Sequence, residues 1–180
     1  CSGAGVLYSD AELASRGVRR VDLRSVLDYR RFAEVARVVS PLLAAQDDMG
    51  QPHSNDLLEE VDFPFESILA CAHDTLKHYC DPSDLELYDA FSLHYDERQQ
   101  NTTFNQHRDP SFVTINICLH ADCEGSNVEF FGTPDASTND RFAVEMRVGH
   151  ALVHYGRHLH QTTPLLRGSR SQAVTYWTRK

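Results

Sequence analysis

The chain has 180 residues, enough for one domain with a sizeable core. With 41% hydrophobic and 24% charged residues it has the composition of a soluble globular protein, and it contains no apolar run of the length of a membrane span. Its net charge of −9 disfavours nucleic acid as a partner, because phosphate backbones attract cationic surfaces.

The five cysteines are odd in number and form no Cys-x-x-Cys pair. Neither a disulfide framework nor a structural zinc site fits that count and spacing. Unpaired thiols favour the cytoplasm without excluding the secretory pathway, so the compartment stays open.

The first part of the chain is expected to be mainly helical support, over residues 10–82, after a flexible leader at 1–9. Two stretches carry apolar residues at helical spacing, 22–46 and 65–79. Asp22 is a plausible N-cap for the first helix, and Pro41 predicts a kink or break in it. The polar residues 47–56 predict a loop between the helices.

After residue 82 the pattern changes to short extended runs separated by Gly, Pro, Asn and Asp. These runs are 85–95, 111–119, 127–131, 141–148, 151–155 and 171–178. Short strands at short intervals predict an antiparallel sandwich or barrel. The expected fold class is α+β and mainly β, in a single domain over 1–180, with N-terminal helices preceding and flanking a β-core at 83–180.

Three His-x-Asp triplets are candidate metal sites. They are His94-Tyr95-Asp96, His107-Arg108-Asp109 and His120-Ala121-Asp122. Residues i and i+2 of a strand share one side, and two imidazoles with one carboxylate on one face of Fe(II) leave the other face open. About one such triplet is expected by chance in a chain of this composition, so context has to choose between them.

Context favours the second triplet. It follows a polar loop and precedes a strand, so a sheet holds its ligands while they stay open to solvent. His94 and Asp96 flank Tyr95 at the end of an earlier strand. Exposure at the surface explains these two polar residues more simply than a metal site does. His120 and Asp122 are expected in a polar turn.

The spacing of His150, His154 and His158 would suit a zinc-binding helix, but the β-branched content and interrupting glycines favour a strand. His154 is therefore expected to pack or to line a pocket. Tyr176 and Trp177 are expected to be core or wall.

Residues 158–170 predict a strand that carries His160, a Pro/Gly turn, and a second strand that Arg170 opens. His160 offers another metal ligand. A guanidinium matches a carboxylate bidentately and keeps its charge, so Arg170 suits an acidic co-substrate.

From Leu93 to Trp177 the chain resembles the Fe(II)- and 2-oxoglutarate-dependent dioxygenases, and within them the prolyl and lysyl hydroxylase branch. The resemblance rests on an ordered set of short matches. They are Tyr95, the triplet 107–109, the runs 113–119, 125–130 and 149–153, and His160 followed by Pro164, Gly168 and Arg170.

The resemblance implies a double-stranded β-helix, or jelly-roll, core in which His107, Asp109 and His160 are the catalytic iron ligands. Arg170 would pair with the distal carboxylate of 2-oxoglutarate, and Tyr95 would line the co-substrate pocket. Thr114, Asn116 and Cys118 alternate on one strand face, which by the resemblance points into the barrel near the co-substrate. Fe(II), 2-oxoglutarate and O2 are the implied cofactor and co-substrates, with ascorbate as an optional reductant.

Two departures from the family pattern stand out. The usual Gly-Gly is Gly125-Ser126, and Gln172 replaces the small hydroxyl residue that often follows the arginine. The segment before Leu85, where substrate selection is expected, matches no motif.

The expected function is hydroxylation of an unactivated C–H bond on a protein or peptide, at a prolyl or lysyl side chain, with release of succinate and CO2. Retention of Asp109 favours hydroxylation over halogenation. Two alternatives stay open: the same chemistry on a small molecule or nucleobase, and a catalytically silent β-sandwich that binds a partner. The polar segments 96–106 and 132–140 are candidate lids over the iron site.

Overall fold

The structure, a computed structural model, describes residues 8–44, 61–99 and 102–180, without the side chains of 39–44. The predicted loop 47–56 and most of the predicted leader lie outside the described residues. The described helices are α1 (Asp10–Ser15), α2 (Tyr29–Ala44), α3 (Phe65–Cys71) and α4 (His73–Leu76), with a 3-10 turn at Pro82–Asp84. No helix of this part of the chain is both long and apolar enough to cross a bilayer.

The described strands form two antiparallel sheets. They are β1 (Val18–Asp22), β2 (Leu85–Asp96), β3 (Phe104–His107), β4 (Val113–Gly125), β5 (Val128–Phe131), β6 (Arg141–Val144), β7 (His150–Tyr155), β8 (His160–Thr162) and β9 (Leu165–Arg179). The major sheet has the order β1-β7-β4-β9-β2, and the minor sheet has the order β3-β8-β5-β6. The mainly β architecture with a jelly-roll core is confirmed.

Helices α2, α3 and α4 pack on the outer face of the major sheet. Phe32 and Ala36 of α2 and Ile68 of α3 share one buried cluster with Ile115 and Ile117 of β4. Each fully buried large aliphatic or aromatic side chain contributes about 1.5–3 kcal/mol, so this layer is a main source of stability. The helices therefore hold the major sheet in place by packing on its outer face.

A second apolar cluster lies between the two sheets. Cys118 and Leu152 of the major sheet pack there against Val128, Phe130 and Phe142 of the minor sheet. Side chains alternate across a strand, so from Val113 to Leu119 the odd positions of β4 face the helices and the even positions face the other sheet. Both faces of the major sheet are thus covered.

The first helix begins later than the spacing predicts. Asp22 ends β1, and its carboxylate accepts hydrogen bonds from Arg24, so it is not an N-cap. Asp28 accepts a hydrogen bond from the N–H of Arg31 at 3.2 Å, and α2 starts immediately after it. The predicted helix 65–79 is divided at Ala72.

Strand β1 lies inside the segment expected to be mainly helical. It has five residues and pairs with β7 over its whole length. Its local sequence contains two arginines and carries little alternation, so the pairing with β7, not local propensity, makes it a strand.

Two of the set-aside triplets lie elsewhere than expected. His94 is buried within β2 with its Nδ1 2.8 Å from the Ser171 hydroxyl, so the expectation of surface exposure is wrong. His120 and Asp122 lie in β4, paired with β9, instead of in a polar turn.

The turn in the 158–170 segment is shorter than predicted. It is confined to Thr163 and Pro164, and β9 already runs from Leu165, so Arg170 does not open that strand. Gly168 lies within β9 opposite Cys123, with a φ of +83°. Only glycine adopts this conformation without strain.

Replacement of Gly168 by alanine should lower the free energy of unfolding by about 1–3 kcal/mol. A Cβ there meets the Asp122 carbonyl oxygen on the neighbouring strand in addition to the unfavourable φ. Urea unfolding of Gly168→Ala measures the loss. The exposed neighbour Arg167 supplies the control, since Arg167→Ala should stay within about 0.5 kcal/mol of the parent. Equal losses in the two variants would contradict this account.

Candidate metal centre and its pocket

Pairing of β3 with β8 brings two histidines together. His107 is the last residue of β3, His160 is the first residue of β8, and the two are direct partners across the strands. Their ring centroids are 4.4 Å apart. The residues are distant in sequence, so the antiparallel register is what creates this pair.

Asp109 completes the cluster from the connection between β3 and β4. Its Oδ1 lies 3.3 Å from Nε2 of His107 and 3.6 Å from Nε2 of His160. The ligand atoms of the three residues all lie within 4.8 Å of one another, and no other group of three such residues meets that distance in the described part of the chain. The structure thus brings together the three residues that the family resemblance implies as iron ligands.

Backbone carbonyls orient both imidazoles. Nδ1 of His107 lies 2.6 Å from the carbonyl oxygen of Asn105, and Nδ1 of His160 lies 2.8 Å from that of His158. A carbonyl oxygen only accepts, so each Nδ1 carries a proton, and Nε2 is the nitrogen of each ring that is directed at the cluster. Nε2 of each ring faces the Asp109 carboxylate, which is the arrangement a metal ion needs.

Two hydroxyl groups hold the Asp109 carboxylate. Thr114 of β4 donates to Oδ2 at 2.6 Å, and Tyr176 of β9 donates to Oδ1 at 3.1 Å. Burial acts to raise the pKa of Asp109, but the hydrogen bond with His107 and the interaction with His160 outweigh it and hold the pKa well below its usual value. Asp109 is therefore an ionised carboxylate in a fixed orientation.

His154 lies beside this cluster without joining it. It is fully buried, and its Nε2 lies 4.0 Å from Oδ2 of Asp109. Burial lowers the pKa of His154 to about 3, so the ring is neutral at physiological pH. The expectation that His154 packs within the protein agrees with this position.

A small pocket, partly open to solvent, leads to the cluster. Its polar lining consists of His107, Asp109, His160, Thr114, Asn116, Thr162 and Gln172. Its apolar lining consists of Phe91, Leu93, Phe104, Val128, Val174 and Tyr176. Polar and apolar side chains thus share the lining of this pocket.

Arg170 is a buried cation behind this pocket. Its side chain is 1% exposed, and it donates to the backbone carbonyl of Ser126 and to Oε1 of Gln172. Its Nε has no hydrogen-bond partner, and no carboxylate of the described residues forms an ion pair with it. Burial lowers its pKa from the usual value. A buried guanidinium without an anion is costly, which points to an acidic ligand.

Two other buried polar atoms, one in the pocket lining and one beside Arg170, are also unsatisfied. Oδ1 of Asn116 and Oγ of Ser126 have no hydrogen-bond partner among the described residues. Asn116 lines the pocket, and the Ser126 backbone contacts Arg170. Buried polar atoms without a hydrogen-bond partner are rare in well-packed protein cores and often mark ligand sites.

The remaining predicted pocket residues divide into two groups. Thr114 and Asn116 line the pocket. Tyr95 lies outside the lining, with its ring 5.3 Å from the Arg170 guanidinium, and Cys118 is buried in the apolar cluster between the sheets. Their roles at the co-substrate stay predictions.

Tyr176 has a role that the sequence analysis missed, since it was expected only to pack in the core or to form part of a wall. It bonds to Asp109 and lines the pocket. Arg170, Gln172, Val174 and Tyr176 alternate along β9, so they share one face. Extending that alternation from Arg170 would have placed Tyr176 in the site.

Replacement of Tyr176 by phenylalanine should weaken the binding of Mn(II) about tenfold, because Asp109 loses one of its two hydroxyl donors. Calorimetric titration of the protein with Mn(II) measures the change. Tyr88→Phe is the matched control, since Tyr88 is 61% exposed. An unchanged Mn(II) affinity in Tyr176→Phe would show that the phenol does not support the carboxylate.

No protein-family model matches this chain, and no curated protein matches its sequence. Solved structures do match. The epimerase SnoN in complex with Fe3+, alpha ketoglutarate and nogalamycin RO is 17% identical, with a TM-score of 0.64 over 94% of this chain and 82% of SnoN. EvdO2 from Micromonospora carbonacea var. aurantiaca, complexed with 2-oxoglutarate, is 16% identical, with a TM-score of 0.65 over 98% and 94%.

A third structure, the collagen prolyl hydroxylase vCPH of Paramecium Bursaria Chlorella virus-1, is 12% identical, with a TM-score of 0.58 over 93% of this chain and 98% of vCPH. Similarity at these identities establishes a shared fold. The fold that the sequence resemblance predicts is confirmed.

Proposed function

We propose that this chain, which has the fold of the iron- and 2-oxoglutarate-dependent oxygenases, is itself an Fe(II)- and 2-oxoglutarate-dependent hydroxylase. The observation that carries the proposal is one barrel interior that contains both the His107–Asp109–His160 cluster and the unpaired, buried Arg170. One set of residues suits a metal and the other suits an anion. A silent binding domain would need neither.

His107, Asp109 and His160 would hold Fe(II) on one face. Two imidazole nitrogens and one carboxylate oxygen are the ligand set of non-haem Fe(II) oxygenases, which keep the remaining coordination positions for substrates. Thr114 and Tyr176 keep Asp109 in place during turnover. The chemistry that a bound iron supplies here is oxidative decarboxylation of 2-oxoglutarate to succinate and CO2, coupled to hydroxylation of a C–H bond.

Arg170 would receive the distal carboxylate of 2-oxoglutarate. Its guanidinium keeps its positive charge when buried and presents a fork of donors. Gln172 accepts from Arg170 through Oε1, which leaves its amide NH2 as a further donor for that carboxylate. Gln172 would thereby replace the hydroxyl residue that the family pattern has at this position.

The substrate we propose is a protein or peptide, hydroxylated at a prolyl or lysyl side chain. The viral prolyl hydroxylase supports this choice, since its fold matches over nearly the whole length of both chains. The second candidate is a small molecule, favoured by the SnoN structure that contains nogalamycin RO. A nucleobase is disfavoured by the net charge of −9.

Loss of a metal ligand should abolish turnover. His107→Ala and Asp109→Ala should both form no succinate above background from 2-oxoglutarate with Fe(II) and O2, because each removes one of three ligands. Succinate quantified by mass spectrometry is the measurement. His120→Ala, in a triplet that the structure keeps out of the cluster, should retain parental turnover. Normal turnover in either ligand variant would refute the metal assignment.

Loss of Arg170 should act on co-substrate binding. Arg170→Ala should raise the 2-oxoglutarate concentration for half-maximal succinate formation by about 10- to 100-fold, the value of a charged hydrogen-bonded contact. Circular dichroism of Arg170→Ala and of Arg170→Lys checks that the variants fold. Arg167→Ala, on the exposed part of the same strand, is the control. The same requirement in parent and Arg170→Ala would remove this residue from the co-substrate site.

A further inference from the structure

We infer that the group this pocket accepts for reaction is uncharged and apolar, such as a prolyl ring or the carbon skeleton of a small molecule, and that a lysyl ammonium is excluded. The inference rests on the proposed function, because it concerns the same pocket. It narrows the proposed protein substrate from a prolyl or a lysyl side chain, one uncharged and the other cationic, to the uncharged one.

The wall of the pocket is almost free of charge. We call Phe91, Phe104, Val174 and Tyr176 the apolar wall. Asp109 is the one acidic or cationic side chain among the described lining residues, and the histidines of the lining are neutral when they bind a metal. No second carboxylate is present in that lining to receive an ammonium.

Charged side chains close in sequence to the ligands are engaged elsewhere. Arg108, between the two ligands of the triplet, donates to the backbone carbonyl of Arg157 at 3.1 Å and to the Ser137 hydroxyl at 2.9 Å. Glu129 accepts from the Gln161 amide at 2.6 Å. Neither Arg108 nor Glu129 lines the pocket, so neither brings a charge to the incoming group.

The charges of the loaded site cancel. A divalent iron ion brings two positive charges and Arg170 brings one, whereas 2-oxoglutarate brings two negative charges and Asp109 brings one. An incoming ammonium would therefore lose its hydration without gaining a net negative partner. Unpaired charges are the groups that proteins bury least readily.

Aromatic rings can bind cations through their faces, but this wall is not arranged as a cage. Phe91 and Tyr176 pack edge to face, with ring centroids 5.3 Å apart and an interplanar angle of 76°. The Phe104 ring tilts against His107 at 4.3 Å. The rings therefore contact one another and His107 and do not surround a site for a cation. An apolar substrate, in contrast, gains about fourfold in affinity for each CH2 group that it buries against these rings.

The experiment uses the whole protein loaded with Mn(II) and 2-oxoglutarate. Mn(II) is paramagnetic, so it speeds the proton relaxation of small molecules that enter the pocket. The probes are N-acetylpyrrolidine for the prolyl ring, n-butylammonium for the lysyl side chain, and 1-butanol as its uncharged counterpart. Protein loaded with diamagnetic Zn(II) gives the background for each probe.

We expect N-acetylpyrrolidine and 1-butanol to show at least a tenfold larger relaxation enhancement than n-butylammonium. A tenfold difference in binding corresponds to a free-energy difference of about 1.4 kcal/mol. Equal enhancement of all three probes, of none, or a preference for n-butylammonium overturns the inference. Water relaxation in the same samples reports whether Mn(II) is bound. A protein that does not bind Mn(II) refutes the proposed function, and this outcome is separate from any result on probe selectivity.

A matched pair of variants tests the role of charge. Phe104 lies at the pocket and is half-buried, so the fold can accommodate a polar side chain there. Phe104→Glu should raise the n-butylammonium enhancement about tenfold, whereas the uncharged Phe104→Gln should not. If n-butylammonium responds equally to the two variants, the lack of charge in the wall is not what excludes it.

Succinate formation separates the two sources of an apolar group. Stimulation by a proline-containing peptide over the same peptide with lysine in its place assigns a protein substrate. Stimulation by a carbocyclic alcohol in preference to both peptides assigns a small molecule, and either result agrees with the inference. Stronger stimulation by the lysine peptide overturns it.

Discussion

Alternation of side chains along β4 and β9 is the constraint on which the rest of the structure depends. Ile115 and Ile117 face the helices, and Thr114 and Asn116 face the pocket. A slip of one residue in this pairing would exchange the two sets, placing polar groups under the helices and methyl groups at the metal centre. The same hydrogen bonds therefore specify both the core and the chemistry.

Much of the site follows from local sequence, and the errors have a common cause. The triplet at His107 and the alternating positions of β4 depend on residue order alone, so they could be predicted. Gly168 could not be placed, because its close neighbour is the Asp122 backbone on another strand. β1 is a strand only through β7, and His94 is buried by what packs around its strand. Tertiary partners override local propensity in each case.

The side chains of the candidate metal centre are oriented by contacts within the protein. Carbonyl oxygens set the tautomers of His107 and His160, and two hydroxyls hold Asp109. Arg170 remains buried and short of hydrogen-bond partners. The stability that the apolar clusters supply is what allows the fold to retain such an unfavourable group. Binding of an anion at Arg170 would relieve part of that cost, which makes pocket occupancy stabilising.

The three residues of the candidate metal centre belong to different layers of the protein. His107 and His160 come from the minor sheet, whereas Asp109 is bound through Thr114 and Tyr176 to the major sheet. An ion held by all three would act as a cross-link between the sheets, in the way that a structural metal closes a small domain. Opening the barrel would then require release of the ion, so under the proposed function a higher iron concentration would stabilise the folded chain.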